Sequence, residues 1–411
     1  MRFLLSAGEA SGDTYGAQLT DALRQLTSPQ DAQNRGAPGA PSPGATFFGM
    51  GGEKMRAAGC ELLVHANEVA VVGLVEVVTH LPAIRQRFNH LVAEAKRRKP
   101  DAAILIDFPD FNLRLARELH TLGIPVFYFV SPQVWAWRTG RVEQIKQYVR
   151  KMIVIFPFEQ EFYRRHGVAV SYVGHPLAYE PAPQISREEF AKPLFLDPAK
   201  SWIALLPGSR KKEVGFNIER MLQAAELLKD QGDFQFLLPV ASTLDKSWLL
   251  EQLASKWASE VQVELTDNAR ATLMHSRAAV VASGTATVEA ALSGTPFVVV
   301  YRLAPLTWFL GRRLVKLDTF AMPNLIAGQK IVPELIQKDF TAENVVRELK
   351  AIIPDGPARR QMQAALKMVQ DRLRDRQDDE PPAFRAAQEV LEGIGVQGQR
   401  PRDFVGPSTG S

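Results

Sequence analysis

Short apolar runs that alternate with helix-length segments constrain the fold of this chain more than any other feature of the sequence. Such alternation is typical of parallel sheets covered by helices. It predicts an α/β protein with two doubly wound, Rossmann-like domains and ligands in a cleft at the carboxyl ends of their strands. Helices are expected at about 14–27, 82–98, 111–122 and 139–149. The predicted strands are RFLLSA, ATFFGM, DAAILID, IPVFYFV, KMIVIF and VAVSYV in the first half, then WIALLPG, FQFLLPV, VQVEL, AAVVAS and PFVVVYR in the second.

A proline-rich segment between the two series of strands marks the domain boundary. We therefore expect a first domain over 1–175 and a second over 200–354. The charged helices of about 355–393 are predicted to pack back on the first domain, and 394–411 is predicted to be a disordered tail. A Pro/Gly/Ala/Ser stretch at 28–45 is predicted to be a mobile loop.

Charge and cysteine content exclude some classes of protein. The 411 residues contain 49 Lys and Arg against 45 Asp and Glu, a net charge of +4 that does not favour nucleic acid as a partner. The single cysteine, Cys60, rules out an intrachain disulfide and suggests a buried residue rather than a catalytic thiol. The first apolar run is too short for a signal peptide, and no run approaches a membrane span. These features predict a cytosolic protein, attached at most to a membrane face.

Two glycine-containing turns in the second half are candidate phosphate sites. Each lies between a buried strand and a helix, where backbone N–H groups and the helix dipole favour anions. A carboxylate one turn further on could accept both hydroxyls of a ribose. Two such turns indicate a nucleoside diphosphate, although simple turn residues would have the same pattern. The candidates are Gly208, Ser209 and Arg210 in the first turn, Ser283, Gly284 and Thr285 in the second, and Glu289 for the ribose.

The corresponding turn after the first strand, GEASGD, is acidic. If the diphosphate belongs to the second domain, this turn is free to contact uncharged hydroxyls. Glu9, Ser11 and Asp13 are therefore candidate sugar-binding residues. The alternative is that Ser11 or Asp13 caps a helix beginning at Thr14.

Asp107 is the candidate general base, since it follows an apolar strand at the edge where the cleft should open. Asp110, next to Pro109, is more typical of a helix cap. Trp135 and Trp137 indicate packing, although indole faces also stack on sugars. The histidines have no metal-ligand spacing, and no metal or cofactor is predicted. There is no Walker lysine loop and no G-x-G-x-x-G after the first strand, which disfavours kinases and dehydrogenases.

An apolar stretch with a basic rim is a candidate membrane or acyl-chain contact. It is represented by Val75, Val78 and Leu81, followed by the KRRK run at 96–99. The segment 303–317 has a similar composition. A buried core would explain the same residues.

Six motifs in series resemble those of the lipid-A-disaccharide synthase family. They are SAGEASGD, IDFPDFN, VSPQVWAWR, LLPGSRKKEV, ASGTATVEAAL and MPNLIAGQKIVPELIQ, and the likeness covers about 2–390. The resemblance implies a metal-independent, inverting glycosyltransferase of GT-B architecture. It would join UDP-2,3-diacylglucosamine to 2,3-diacylglucosamine 1-phosphate, giving UDP and a β-1,6 disaccharide precursor of lipid A.

The same resemblance implies roles for individual residues. Asp107 would deprotonate the acceptor 6-hydroxyl, and Glu9 and Ser11 would contact sugar or acceptor. Asn324 would contact the donor diphosphate together with Arg210, and Glu289 would bind the ribose. Family members form homodimers through the C-terminal half, so a homodimer on the cytoplasmic face of the inner membrane is expected.

Two features depart from the family pattern, the long loop at 28–45 and the tail after 393. Neither contains a motif. The alternatives are another GT-B enzyme that uses a UDP-sugar, such as a 2-epimerase or a polyprenyl-acceptor glycosyltransferase, and a non-catalytic nucleotide-sugar sensor at the membrane.

Overall fold

A computed structural model of the protein describes residues 1–28, 44–69, 74–137, 140–256, 261–302, 319–374 and 380–396. The predicted loop at 28–45 lies almost entirely outside the described residues, as do the segment 303–317 and the tail beyond residue 396. In this description the chain divides into two compact units. The first contains the chain to Pro176 and the last described helix, and the second begins at Leu177.

The first unit contains a seven-stranded parallel sheet in the order β3-β2-β1-β4-β5-β6-β7. Its strands are β1 (Arg2–Ala7), β2 (Thr46–Gly51), β3 (Cys60–His65), β4 (Ala102–Ile106), β5 (Val126–Phe129), β6 (Lys151–Val154) and β7 (Val170–Tyr172).

The second unit contains a six-stranded parallel sheet in the order β10-β9-β8-β11-β12-β13. Its strands are β8 (Ser201–Leu206), β9 (Phe234–Pro239), β10 (Val263–Thr266), β11 (Ala278–Ala282), β12 (Phe297–Tyr301) and β13 (Glu334–Ile336). The prediction of two doubly wound parallel sheets is confirmed.

Helices connect the strands of both sheets. In the first unit they are α1 (Ala10–Leu26), α2 (Glu53–Ala57), α3 (Leu74–Arg98), α4 (Pro109–Thr121), α5 (Val134–Trp137), α6 (Arg141–Tyr148), α7 (Pro157–Arg165) and α8 (Pro176–Tyr179), whose first residue ends that unit. In the second they are α9 (Arg187–Ala191), α10 (Lys211–Lys229), α11 (Lys246–Lys256), α12 (Ala269–His275), α13 (Thr285–Ser293), α14 (Met322–Ala327), α15 (Ala342–Ile352) and α16 (Pro357–Leu373). The last described helix is α17 (Pro382–Gly393).

The first sheet is buried on both faces, as its uninterrupted apolar strands require. Along β1, Phe3 and Leu5 belong to one core cluster and Leu4 to the other. Cys60, at the start of β3, is buried in the cluster that contains Phe3. Burial raises the pKa of its thiol to about 12. This matches the sequence interpretation of Cys60 as a buried residue.

Each sheet has one point at which the direction of winding reverses. In the first sheet it lies between β1 and β4, and in the second between β8 and β11. At such a switch point the connections leave in opposite directions, which opens a crevice beyond the carboxyl ends of the strands. The acidic turn and Asp107 follow β1 and β4, whereas the two candidate phosphate turns follow β8 and β11.

The C-terminal helices are divided between the two units, whereas the sequence placed all of 355–393 on the first. Helix α16 packs on α13 and α14 of the second unit, where Gln370 and Arg372 donate hydrogen bonds to main-chain carbonyls. Of the two C-terminal helices, it is α17 that packs on α1 of the first unit. Its apolar face joins the core of the first unit, and Ile394 and Val396, which fall in the predicted tail, pack against that core too.

Other differences from the predicted elements have local causes. The strands β3 and β13 escaped prediction because β3 includes charged Glu61 and β13 is only three residues long. Helix α3 begins eight residues before Pro82, although proline favours a helix start. The structure describes no side chain for Val75 or Val78, and Leu81 is 55% exposed. Within the described residues no helix is long and apolar enough to cross a membrane.

Candidate active site

Two turns meet at the switch point of the first sheet. Ala7 of β1 is in register with Ile106 of β4, so the residues that follow them are neighbours at the carboxyl edge. A side-chain carbon at Gly8 would lie 2.3 Å from the ring of Phe108. Only glycine permits this approach. The acidic turn and the Asp107 turn are therefore one structural feature.

Asn112 holds the backbone of this edge together from inside the protein. It is fully buried in α4, and its side-chain amide donates to the carbonyls of Ser6, Ile106 and Asp107 at 3.2, 3.2 and 2.8 Å. Ser6 Oγ donates to Asn112 Oδ1 at 2.7 Å. The hydroxyl of Tyr128 donates a further bond to the Asp107 carbonyl at 2.6 Å. These bonds fix the backbone that carries Asp107 while its side chain remains half-buried.

Backbone strain is concentrated at the same edge. Asp107 and Phe108 have φ values of 46° and 51°, and Val130, which follows the adjacent strand, has φ of 61°. Left-handed conformations are unfavourable for residues with a side chain, above all for a β-branched one, and they persist where surrounding contacts enforce them. Such outliers cluster at functional sites.

The structure separates the three candidates of the acidic turn. Glu9 and Ser11 are exposed at the start of α1, and Glu9 is the N-cap residue. Asp13 is buried inside α1, so it does not cap that helix. Its carboxylate accepts bonds from the main-chain N–H groups of Gly52, Lys54 and Met55 at 2.7–3.0 Å and thereby caps α2. Asp13 is therefore a helix cap, and its predicted contact with sugar is withdrawn.

Asp110 lies in the first turn of α4, but the N-cap residue of that helix is Phe108, and the Asp110 carboxylate pairs with Arg141 of α6. Asp110 is 77% exposed, so its environment differs from that of the half-buried Asp107.

Two glycine turns lie side by side at the switch point of the second sheet. Leu206 of β8 is in register with Val281 of β11, which places the turns after these strands next to each other. Gly208 and Gly284 have φ of 127° and 147°, a region that other residues rarely enter. The structure thus brings together the two predicted phosphate turns.

The first glycine turn already contains an acidic partner. Ser209 N–H donates to the Glu213 carboxylate at 3.2 Å, and Arg210 is 3.4 Å from the same carboxylate. The side chain of Arg210 is 66% exposed at the start of α10. Thr243 supports the turn by donating to the Ser209 carbonyl at 2.5 Å. The Glu213 carboxylate therefore lies at the N–H group that the sequence assigned to a phosphate.

The second glycine turn is open. Gly284 and Thr285 are exposed, and among the described residues nothing beyond the chain neighbours lies within 4 Å of a side-chain carbon placed at Gly284. Ser283 N–H donates to the Val300 carbonyl at 2.9 Å, which anchors the turn to the adjacent strand. The start of α13 consequently faces outward with space for a ligand.

Glu289 lies one turn into α13 and is half-buried. Burial raises the pKa of its carboxyl, while Arg270 lowers it and Glu180 raises it. Arg270 and Glu180 form an ion pair of 2.9 Å. The net effect is a raised pKa for Glu289, with burial as the largest cause and Arg270 acting against it.

Comparison with known proteins identifies the family. The family model described as lipid-A-disaccharide synthetase matches residues 3–387. The chain belongs to this family. It is 54% identical over 391 residues to the lipid-A-disaccharide synthase of Koribacter versatilis, covering 95% of this chain and 98% of that one. The enzyme of Acidobacterium capsulatum is 49% identical over 380 residues, covering 90% and 91%. The chain is accordingly a glycosyltransferase of lipid A biosynthesis.

Solved structures agree on the fold. A glycosyltransferase of kitacinnamycin has a TM-score of 0.61 at 13% identity and covers 96% of this chain and 99% of its own. The UDP-GlcNAc 2-epimerase from Neisseria meningitidis, bound to UDP-GlcNAc, has a TM-score of 0.54 at 14% identity and covers 96% and 99%. Both likenesses support the GT-B fold class.

Asn324, which the family resemblance assigned to the donor diphosphate, forms hydrogen bonds within its own motif. It is fully buried, and its amide nitrogen donates to Glu334 at 2.7 Å and to the Val332 carbonyl at 3.0 Å. Its oxygen accepts from Ile331 and Val332 N–H. Glu334 also accepts from the N–H groups of 320 and 321 before α14. Asn324 therefore supports the backbone of the family motif MPNLIAG, and its contact with a diphosphate stays a prediction.

Several polar residues at these edges were missed by the sequence analysis. These residues are Asn112, Tyr128 and Glu159. Each lies in an apolar stretch, and the neighbouring sequence does not mark it as functional. Only Glu159 had a signal, since it lies two residues after Pro157 at the start of a helix, where glutamate caps the N-terminus. Among the described residues, no group of three or more His, Cys, Asp or Glu could hold a metal ion.

Proposed function

We propose that this chain transfers 2,3-diacylglucosamine from its UDP derivative to the 6-hydroxyl of 2,3-diacylglucosamine 1-phosphate, with Asp107 as the general base. The observation that carries the proposal is the position of Asp107. It follows a central strand at the switch point of the first sheet, on a strained backbone held by Asn112 and Tyr128. The name shared by the relatives supplies the class of product, a lipid A disaccharide.

In the proposed reaction the acceptor oxygen attacks the anomeric carbon as the bond from that carbon to the diphosphate breaks. The acceptor proton passes to Asp107, and UDP leaves with its additional negative charge. Attack from the face opposite the leaving group inverts the configuration and gives a β linkage. No cofactor is needed, since one carboxylate takes the proton and positive groups stabilise the leaving group.

We assign acceptor and donor to different units. Glu9 and Ser11, exposed beside the Asp107 turn, would bind acceptor hydroxyls. In the second unit, Arg210 and the N–H groups of the turns at 208–209 and 283–285 would bind the diphosphate, and Glu289 the ribose. Hydrogen bonds that strengthen as charge develops on the leaving group lower the barrier.

We also propose that the protein binds an anionic membrane surface and forms a homodimer. The structural support concerns the membrane. Exposed Leu81 in α3 is compatible with contact to acyl chains, and the same helix ends with three basic residues. An anionic leaflet on the cytoplasmic side of the inner membrane would present both lipid substrates. Partitioning onto anionic vesicles, with Leu81→Asp as the variant, tests this part alone.

The decisive experiment combines product analysis with one isosteric substitution. UDP-2,3-diacylglucosamine and 2,3-diacylglucosamine 1-phosphate should give UDP and a disaccharide 1-phosphate detected by mass. UDP-N-acetylglucosamine, which lacks the acyl chains, should give negligible product. Asp107→Asn should reduce kcat by about 10²–10⁴ because the proton acceptor is lost.

Asp110→Asn is the matched control, since it removes an exposed carboxylate three residues away. It should retain kcat within about threefold, as expected for a surface ion pair. Full activity of Asp107→Asn would exclude Asp107 as the base, and absence of disaccharide with wild-type protein would exclude the reaction itself.

A further inference from the structure

A buried polar cluster lies beside the proposed base and takes no part in the reaction described above. Its centre is Glu159 in α7, which is 1% exposed. The Trp135 indole N–H donates to Glu159 Oε1 at 3.2 Å, and the Phe156 main-chain N–H donates to Oε2 at 3.3 Å. The Ser131 hydroxyl and Tyr163 hydroxyl are 2.8 Å apart in the same cluster. Two N–H groups from different segments thus converge on one buried carboxyl, beside a pair of hydrogen-bonded hydroxyls.

The cluster adjoins the Asp107 edge through strand β5. Asp107 N–H donates to the carbonyl of Phe129, the last residue of β5, at 3.2 Å. Ser131 follows two residues later, and α5 with Trp135 begins three residues after that. Movement of the segment 131–135 would therefore be transmitted to the backbone beside Asp107.

The surroundings of Glu159 favour the neutral carboxylic acid over the charged carboxylate. Burial raises the pKa of this carboxyl most, the charge of Asp107 raises it as well, and hydrogen bonds from Trp135, Phe156 and Ser131 lower it, which together give a pKa of about 8. A neutral acid can receive the indole N–H without the cost of burying an ion.

Trp135 is only half-buried, unlike the carboxyl that holds it. Its ring meets Phe158 edge to face, with centroids 4.9 Å apart and an angle of 85° between planes. The N–H bond and this ring contact fix the indole on two sides. An indole held rigidly at the edge of a site is a suitable platform for the C–H face of a sugar ring, since its polar edge is already satisfied.

We propose that Glu159 is a positioning residue that orients the Trp135 indole beside Asp107, where the indole contacts the sugar ring of the acceptor. This inference depends on the proposed function, because it assigns the acceptor to the first unit. It adds a determinant of acceptor binding that does not touch the reacting atoms. A purely structural role, in which Glu159 only caps α7 through Phe156, would affect folding and leave acceptor binding unchanged.

The test compares variants of the two partners by steady-state kinetics. Glu159→Ala removes the acceptor of the indole bond, Glu159→Gln retains a carbonyl oxygen for it, and Trp135→Phe retains the ring without the N–H. The double variant Glu159→Ala/Trp135→Phe measures their coupling. Glu161→Ala is the matched control, since Glu161 lies two residues along the same helix, is 57% exposed and forms a surface ion pair with Arg165.

The expected result is a change confined to acceptor binding. Glu159→Ala should raise the KM for the acceptor about tenfold, as for loss of a hydrogen bond that fixes a contact residue. The Kd for UDP should remain within about twofold, and Glu159→Gln should restore most of the acceptor KM. The double variant should be no worse than Trp135→Phe alone, because both changes break one interaction.

The inference is overturned if Glu159→Ala has the acceptor KM of Glu161→Ala, whether or not its melting temperature falls. It is also overturned if the two single effects multiply in the double variant. If Glu159→Ala does not fold, Trp135→Ala decides, since an unchanged acceptor KM in a variant without the ring excludes the indole as a contact.

Failure of the proposed function would be recognised separately, in the wild-type protein. If wild-type protein forms no disaccharide, calorimetric binding of 2,3-diacylglucosamine 1-phosphate to wild type and to Glu159→Ala replaces the kinetic comparison. Equal affinities then exclude Glu159 as a positioning residue, and an approximately tenfold difference supports it.

Discussion

The two switch points have the same topology and opposite chemistry. In the first unit the edge is acidic, and its left-handed backbone is adopted by Asp107, Phe108 and Val130. In the second unit the left-handed positions are glycines, and a cation begins the helix. Strained side chains need a rigid, buried support, which Asn112 provides with several hydrogen bonds. Glycine turns need little support and leave their N–H groups exposed to a ligand.

This difference indicates what each edge is built to do. A general base must be held in one position relative to a neutral hydroxyl, so rigidity is favoured. A diphosphate is large, charged and flexible, and it is bound by many N–H groups, so openness is favoured. The pattern of support therefore separates a site for chemistry from a site for binding.

The largest effect should come from disturbing the rigid edge. Gly8→Ala places a carbon 2.3 Å from the Phe108 ring, so Phe108 and the adjoining Asp107 must shift. A displacement of about 1 Å at a catalytic group can lower kcat about 100-fold. The Kd for UDP should not change. Gly140→Ala is the control, because no described residue beyond the chain neighbours lies within 4 Å of a side-chain carbon at Gly140, and its φ of −60° is ordinary. Equal kcat for the two variants would show that the first edge is not rigid.

The second prediction concerns acid stability, measured by denaturant unfolding at several pH values. His175, in the first unit, is buried, and burial lowers its pKa to about 3 from 6.5. Below pH 6.5 the imidazole of His175 binds a proton in the unfolded state but not in the folded state. The contribution of His175 to the free energy of unfolding is therefore present above that pH and lost as pH falls. Between pH 7 and 5 the loss is about 2 kcal/mol. His175→Gln should therefore gain this amount relative to wild type over that interval.

Glu159 should change the free energy of unfolding with pH in the opposite direction, so it serves as the control for that measurement. Its pKa is raised to about 8, so the folded state holds the extra proton and its contribution is lost as pH rises from about 4.5 through 8. Glu159→Gln should gain stability relative to wild type on raising the pH. Parallel curves for all three proteins would contradict both assignments.

The third prediction tests the open edge. Arg210→Ala should weaken UDP binding about tenfold, since one charge-assisted hydrogen bond to phosphate is lost. Lys229→Ala removes a cation at the other end of α10 and should have no effect on UDP. If Arg210→Ala has a lower kcat, measured with saturating substrates, but an unchanged affinity for UDP, a role of Arg210 in binding is excluded.

The smallest effect should come from Glu213. Its carboxylate lies at the Ser209 N–H, where a phosphate oxygen would bind, and its charge repels the diphosphate. Glu213→Gln should therefore tighten UDP binding about threefold, within the range of one charge at a helix start. Glu219→Gln, exposed in the same helix, is the control. Weaker UDP binding in Glu213→Gln would mean that the carboxylate organises the turn instead of competing for it.

The sequence predicted features that depend on local pattern and failed where distant residues decide. Apolar runs and turn glycines have local causes, so both sheets and the turns at Gly208 and Gly284 could be predicted. The capping of α2 by Asp13 could not, because its partners lie about forty residues away. The burial of Asn324 likewise depends on Glu334, on a strand that the sequence analysis missed.

The position of Cys60 provides a built-in reporter for one half of the molecule. It is the only cysteine in the chain, and it lies in the core of the first unit with a thiol that hardly ionises. Alkylating reagents attack the thiolate, so the folded protein should be nearly inert to them. The rate of alkylation therefore measures how often the first unit opens, and it does so without any introduced label.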